Sequence, residues 1–258
     1  TSEPWEVTEK LADCSWLTTC TALGLQRLRE LAPQADRLQL VYHGLDFAHL
    51  PQPPAGRPMR DGSDPNDPVV ILSVGRKVEK KGYDDLLKAL AQLPRSLHWR
   101  FEHVGGGALG DALKAEAARL EIADRCAWLG AQSQKQVFAA LSRADLFVLA
   151  SKKASDGDQD GLPNVLMEAA HQGLPIVSTR AAAITEFIED SVNGLLVTPA
   201  APEELAVALE LLARDPAMRR RLADSAAHTV RTRFSFDAGV DWIASALGQP
   251  RIAARAAE

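Results

Sequence analysis

Two cations, Arg76 and Lys81, leave the end of an apolar run within Ser73-Val74-Gly75-Arg76-Lys77-Val78-Glu79-Lys80-Lys81-Gly82. Arginine can fork onto two oxygens and lysine acts as a mobile point charge, so the pair suits a diphosphate. A second segment, Asp160-Gly161-Leu162-Pro163-Asn164-Val165-Leu166-Met167-Glu168-Ala169, carries two carboxylates. Gly161 lets backbone approach a ligand, and Pro163 near the first helical position leaves helix-start amides aimed at negative charge. Glu168 falls about one turn into that helix, so Asp160 and Glu168 can flank one pocket mouth. A third segment, Ser178-Thr179-Arg180 through Glu186 to Asn193-Gly194, supplies another loop on the same side.

The elements that must position these residues follow from hydrophobic period. Short β-branched or aromatic runs at Val69–Val74, Trp99–Val104, Cys126–Leu129, Asp145–Ala150, Pro175–Thr179 and Gly194–Val197 alternate with helix-period segments. The expected helices are Tyr83–Leu93, Leu109–Leu120, Lys135–Arg143, Val165–Gln172, Ile184–Glu189 and Glu203–Ala213, followed by Pro216–Arg233 and Phe236–Leu247 with a break near Ser235. Continuously apolar strands alternating with helices specify a mostly parallel sheet covered on both faces, a doubly wound, Rossmann-like α/β domain. All three charged segments then lie at carboxyl ends of strands, where such sheets bind ligands.

Residues 51–68 hold six prolines and two glycines and read as a linker or long surface connection. Before it, strands at Ser15–Thr21 and Leu38–Tyr42 flank a helix at Ala22–Leu31. The expected division is 1–50, a strand–helix–strand piece too short for a second Rossmann domain; 51–68, the linker; 69–234, the main domain; and 235–258, a last helix and tail, frayed over Arg251–Glu258.

Composition removes several function classes. The 258 residues carry 29 Lys+Arg against 34 Asp+Glu, a formal charge of −5, and 5% are aromatic. Wrapping nucleic acid calls for a basic face and stacking platforms, so nucleic acid is not an expected partner. The one basic run, Arg219-Arg220-Arg221 with Arg214, Arg231 and Arg233, reads as a solvated helix face. No stretch approaches the roughly 18 apolar residues of a membrane span. Cys14, Cys20 and Cys126 form no metal-ligand cluster and read as reduced thiols of a cytoplasmic protein. Gly105-Gly106-Gly107-Ala108-Leu109-Gly110 has dinucleotide spacing, but the next strand ends Trp128-Leu129-Gly130 without the acid that would hold a ribose. It remains a place where a phosphate or sugar can approach backbone. Asp156-Gly157-Asp158-Gln159-Asp160-Gly161 opens like a calcium loop, yet its twelfth position is Met167 and the Glu arrives one residue late. No metal ligands are expected.

Taken together, the stretches resemble the carboxy-terminal, donor-binding half of a retaining glycosyltransferase of the GT-B fold, glycosyltransferase family 4. They are Val74-Gly75-Arg76 with Lys81-Gly82, His103-Val104-Gly105-Gly106-Gly107, Trp128-Leu129-Gly130, Asp160 through Ala170, Gly173 through Thr179, and Glu186 with Asn193 through Val197; in order and spacing the likeness covers about residues 40–248. The resemblance implies a nucleotide sugar, UDP- or GDP-linked, as substrate and no cofactor. It implies that Arg76 and Lys81 hold the donor diphosphate without a metal, that Glu168 accepts hydrogen bonds from the nucleotide ribose, and that Asp160 touches the transferred sugar. There the family carries Glu, and the shorter acid puts the sugar identity in question. Gly75, Gly105, Gly106, Gly161, Val165 and the backbone of Leu162, Pro163 and Asn164 join the donor site by the same likeness, and the loop at Leu129 and Gly130 faces the base. His43-Gly44-Leu45-Asp46 resembles the family's interdomain Asn-Gly-Val-Asp, and Ile184-Thr185-Glu186 has Thr where Pro is usual.

The implied reaction is transfer of a sugar to a hydroxyl acceptor with retention, by a front-face mechanism in which the leaving phosphate takes the acceptor proton. The wording of 160–168 resembles bacterial cell-surface polysaccharide transferases, so a glycan or lipid-linked acceptor is expected. The amino-terminal acceptor domain of that fold is represented only by a short remnant, so the chain is expected to be a fragment with negligible turnover alone. The location expected is the cytoplasm, with peripheral association at the inner face of the plasma membrane allowed. The competing expectation is a non-catalytic nucleotide-sugar-binding module working with a separate acceptor-binding subunit. A phosphorylase would need a lysine placed for pyridoxal phosphate, and the sequence singles none out.

Overall fold

The computed structural model describes residues 4–31 and 37–249. The expected tail at Arg251–Glu258 lies outside the described residues. Two compact units are formed, one by Thr1–Leu50 with Thr232–Glu258 and the other by Pro51–Arg231.

The smaller unit holds helix α1 (Pro4–Asp13), strand β1 (Leu17–Thr19), helix α2 (Ala22–Leu31), strand β2 (Leu38–Leu40) and, from the far end of the chain, helix α9 (Phe236–Ala246). β1 and β2 pair in parallel with Leu17 opposite Leu38. Helix α1 was not expected; Pro4 at its first position is the signal that marks it, since proline there loses no hydrogen bond. The break at Ser235 is an N-cap whose hydroxyl accepts from the Asp237 amide. The chain end is tied back at Leu45, whose amide donates to the Phe234 carbonyl at 2.8 Å.

The larger unit is a six-stranded, all-parallel sheet of β3 (Val69–Val74), β4 (Trp99–Val104), β5 (Cys126–Trp128), β6 (Leu146–Leu149), β7 (Ile176–Thr179) and β8 (Leu195–Val197). Its order is β5-β4-β3-β6-β7-β8, the doubly wound arrangement expected from the sequence. Helices α3 (Tyr83–Ala91), α4 (Gly110–Arg119), α5 (Gln134–Arg143), α6 (Asn164–His171), α7 (Pro202–Arg214) and α8 (Pro216–Arg233) complete it. Strand residues Ile71, Leu72, Phe147, Val148 and Val177 are fully buried, because helices cover both faces. The chain runs from β3 outward one way to β5 and then crosses to β6 and outward the other way. The carboxyl ends of β3 and β6 therefore lie side by side at the switch point, where a doubly wound sheet carries its binding crevice.

One expectation is corrected. Ile184–Glu189 is not an α-helix; a 3₁₀ turn occupies Ala182–Glu186. The Asn193 side chain accepts from the Glu189 amide at 2.7 Å and donates to the Phe187 carbonyl at 3.0 Å, taking the groups an α-helix would need to propagate. The proline-rich stretch is irregular and is fastened to the larger unit. All five N–H donors of Arg57 go to main-chain carbonyls: Leu141, Ser142 and Ala144 at the end of α5, and Gln172 and Gly173 at the end of α6. One guanidinium thus caps two helix C-termini, where unpaired carbonyls and the dipole both favour a cation.

Candidate functional site

The loop after β3 is built around two close approaches. Gly82 adopts φ 61°, and a Cβ there would lie 1.9 Å from the Ala150 carbonyl oxygen at the end of β6. Only glycine tolerates both, so the 3₁₀ turn Glu79–Lys81 is drawn against β6 before α3 begins. Lys81 is aimed at the switch point as a result. The glycines after β4 serve the same loop from the other side: a Cβ on Gly105 would lie 2.0 Å from the Gly75 carbonyl oxygen, and one on Gly107 would lie 2.6 Å from the Lys77 amide. Lys77, itself buried, donates its ammonium to the Gly105 carbonyl at 2.6 Å. Burial, then the nearby Lys114, lowers its pKa.

The loop after β6 carries the acids. Asp160 Oδ2 accepts from Lys81 Nζ at 2.7 Å and from the Ser151 hydroxyl at 3.0 Å. The Lys81 and Asp160 side chains are only 13% and 11% exposed. The same loop is clamped to the first turn of α3 by Lys152 on Asp84 and Asp85, and to the 3₁₀ turn before it by Lys80 on Asp158. Thr179 at the end of β7 donates its hydroxyl to the Ser151 carbonyl, fixing the loop's root.

These parts enclose a cleft of about 470 Å³, lined by Val74, Gly75, Arg76 and Lys81 from β3, by Asp160, Pro163, Asn164, Val165 and Glu168 from the β6 loop and α6, and by Gln132, Gln134 and Val137 from the start of α5. Sequence reasoning missed the last three. Their signal was the Ser133-x-x-Gln136 capping box that opens α5 right after β5. Of the expected donor residues, Gly105, Gly106, Gly161, Leu162, Leu129 and Gly130 do not line the cleft. Gly105 is spent on packing against Gly75, and the Gly105 amide donates to the Gly130 carbonyl at 2.8 Å, joining the two loops behind the wall. Gly106 has open space where a Cβ would stand. The third expected segment is also elsewhere: Arg180 pairs with Asp190 at 2.9 Å.

Charge in the cleft is unevenly committed. The exposed Arg76 side chain makes no hydrogen bond or ion pair with the described residues, whereas Lys81 is engaged with Asp160. The half-buried Glu168 side chain has no hydrogen-bonding or ion-pairing partner among the described residues, and burial raises its pKa. A carboxylate left thus waits for donors from a ligand. Beneath the cleft, His103 is fully buried and packs edge-on to Tyr83 at 4.5 Å. Burial, then Lys77, pushes its pKa down to about 3, so it is a neutral packing group. No group of three or more His, Cys, Asp or Glu among the described residues is placed to hold a metal ion.

Residues 59–229 match the family model described as "Glycosyl transferases group 1". The chain belongs to this family. Every residue lining the cleft falls inside the matched stretch. The lipopolysaccharide core biosynthesis glycosyltransferase LpsE of Rhizobium meliloti is 35% identical over 177 residues, 69% of this chain and 49% of that protein. The amylovoran biosynthesis glycosyltransferase AmsK of Erwinia amylovora is 34% identical over 172 residues, 66% of this chain and 42% of that protein. The chain thus spans about half the length or less of these curated relatives. Among solved structures, Anabaena Alr3699/HepE in complex with UDP superposes with a TM-score of 0.79 at 24% identity, covering 94% of this chain and 66% of that one. At that identity the likeness carries the fold, and the group 1 chain is an α/β protein with the Rossmann-like architecture of those neighbours.

Proposed function

We infer that this group 1 chain is the donor-binding half of a retaining, family 4 glycosyltransferase, acting on a nucleotide diphosphate sugar in the cleft at the switch point. The observation that carries this is the opposition, across one cleft, of Arg76 and Lys81 to Asp160 and Glu168. Arg76, free of any fixed pairing, takes the diphosphate first, and Lys81 turns from Asp160 towards it. As the bond between the sugar's anomeric carbon and the phosphate oxygen breaks, negative charge grows on the diphosphate, and the two cations stabilise it without a metal. The leaving phosphate oxygen accepts the acceptor hydroxyl's proton as the new glycosidic bond forms on the same face. Glu168 receives the ribose hydroxyls, and Asp160, released by Lys81, faces the transferred sugar.

Relatives named for lipopolysaccharide core and amylovoran biosynthesis support a role in bacterial cell-surface polysaccharide synthesis with a glycan or lipid-linked acceptor. A fold shared with a UDP complex makes UDP the first nucleotide to try. No helix among the described residues is long and apolar enough to cross a membrane.

The test is calorimetric titration with UDP and with GDP, with and without EDTA, beside Lys81→Ala and Glu168→Ala. Micromolar binding of one nucleotide, insensitive to EDTA and weakened roughly tenfold or more in both variants, is the expected result. Absence of binding to either nucleotide, or binding abolished by EDTA, overturns the reading.

A further inference from the structure

A second cavity, of about 400 Å³, lies at the opposite end of the sheet from the cleft. Its floor is the entry to β6 and β7, at Asp145 and Pro175; one wall is the proline-rich stretch 53–59, and the other is the face of α8 that carries Arg219, Arg220 and Arg231. The depth of the sheet, about 13 Å for strands of this length, separates it from the donor site.

The charges on its walls do not balance. Arg57 and Arg219 are held entirely by carbonyl oxygens, Arg57 by the ends of α5 and α6 and Arg219 by Leu212, Ala213 and Arg60. Those carbonyls, at helix C-termini, offset much of each charge, and Asp145, Asp215 and Asp61 act on Arg219 as well. Burial lowers the pKa of each, of Arg57 to about 10, and each remains charged at neutral pH. The exposed side chains of Arg220 and Arg231 line the same space and make no hydrogen bond or ion pair with the described residues. Against these four cations stand Asp145 and Asp224. Asp145, paired with Arg60 at 3.1 Å and accepting from the Val70 amide at 2.7 Å, also acts on Arg57 and Arg219, so the excess rests on Arg220 and Arg231.

A partly open cavity lined by two exposed, uncommitted guanidinium forks is complementary to a phosphate dianion. Its volume corresponds to about a dozen waters, far more than a bare inorganic ion fills, and suits a ligand of sugar-phosphate size. We propose that this cavity is a binding site for a small phosphate ester, distinct from the nucleotide-sugar cleft, with Arg220 and Arg231 gripping the phosphate.

The test uses the whole chain and glucose 1-phosphate as probe, with inorganic phosphate and vesicles of phosphatidic acid in phosphatidylcholine as parallel arms. Binding is followed by calorimetry and by the rise in Tm. The expected result is binding of glucose 1-phosphate that salt weakens, that persists in Lys81→Ala and in the presence of saturating UDP, and that falls roughly tenfold or more in Arg220→Ala/Arg231→Ala. Both arginines are on the surface of α8, so that variant is expected to keep its unliganded Tm and its UDP affinity. Arg214→Ala/Arg221→Ala removes equal charge from outside the cavity and is expected to leave binding unchanged. Binding lost in Lys81→Ala or displaced by UDP would place the ester in the donor cleft and overturn the proposal. Equal binding by the wild type and the Arg220/Arg231 variant overturns it too, as does no binding at millimolar ester. Capture by phosphatidic acid vesicles without binding of the soluble ester would reassign the site to a lipid headgroup.

Discussion

Replacing Asp160 by Asn is expected to tighten UDP binding. Lys81 Nζ stands 2.7 Å from Asp160 Oδ2, so the cation that should meet the diphosphate is already occupied. A phosphate taking the far side of that ammonium would lie about 5.5 Å from the carboxylate, and two unit negative charges so placed repel by about 3 kcal/mol at an effective dielectric constant of about 20. Solvent and mobile ions at the cleft mouth reduce this to about 1.4 kcal/mol, or roughly tenfold in Kd. Asp160→Asn removes the repulsion, releases Lys81 and keeps the side chain's size. Calorimetric titration of both proteins with UDP at two ionic strengths reads the effect, which should be larger at low salt. Lys81→Ala, in contrast, should weaken UDP. In the whole enzyme, sugar transfer by Asp160→Asn should fall even though the nucleotide binds better, because the group facing the sugar has lost its charge. If Asp160→Asn bound UDP no better than the wild type, or worse, the ion pair would be positioning Lys81 for the phosphate and the reasoning above would be wrong.

Glu168→Gln should raise Tm at neutral pH while weakening UDP, because a buried, unpaired carboxylate destabilises the empty protein yet serves the ligand. With its folded pKa above the unfolded value, the stability linked to Glu168 is fully present below the unfolded pKa and is lost as pH rises through the folded one. The Tm advantage of Glu168→Gln should therefore vanish on acidification, and wild-type UDP affinity should fall as pH drops through the same raised value; a Tm difference independent of pH would refute this. Gly82→Ala must hold alanine at φ 61° with its Cβ 1.9 Å from a carbonyl oxygen. A loss of at least about 2 kcal/mol in urea unfolding and a weakened UDP affinity are expected, since the turn that aims Lys81 must move; unchanged stability would show that the Ala150 strand end can yield.

The alternation of apolar runs with helical periods was readable in the sequence, because strand and helix preferences act over a few residues. β3 and β4 begin and end where their runs of β-branched and aromatic residues do. Where a side chain from elsewhere interferes, local reading failed: Asn193 takes the Glu189 amide and stops a helix that residues 184–189 would otherwise favour. The start of α5 was legible as a helix, but nothing local says that Gln132, Gln134 and Val137 face the switch point. Gly105 shows what spacing alone does not reveal. Its spacing suggested a ligand, and the packing of one backbone against Gly75 uses it up.

By itself, then, the sequence determined a parallel α/β sheet and the charged residues carried at its strand ends, since the hydrophobic period and the chain order dictate both. What only the tertiary structure decided is which charges meet. Lys81 finds Asp160 across 79 residues, and Arg57 reaches as far as Gly173, 116 residues on. Pairings at such separations depend on how whole elements pack, and a carboxylate such as Glu168 is left without a partner only because the surrounding helix and strands bury it there.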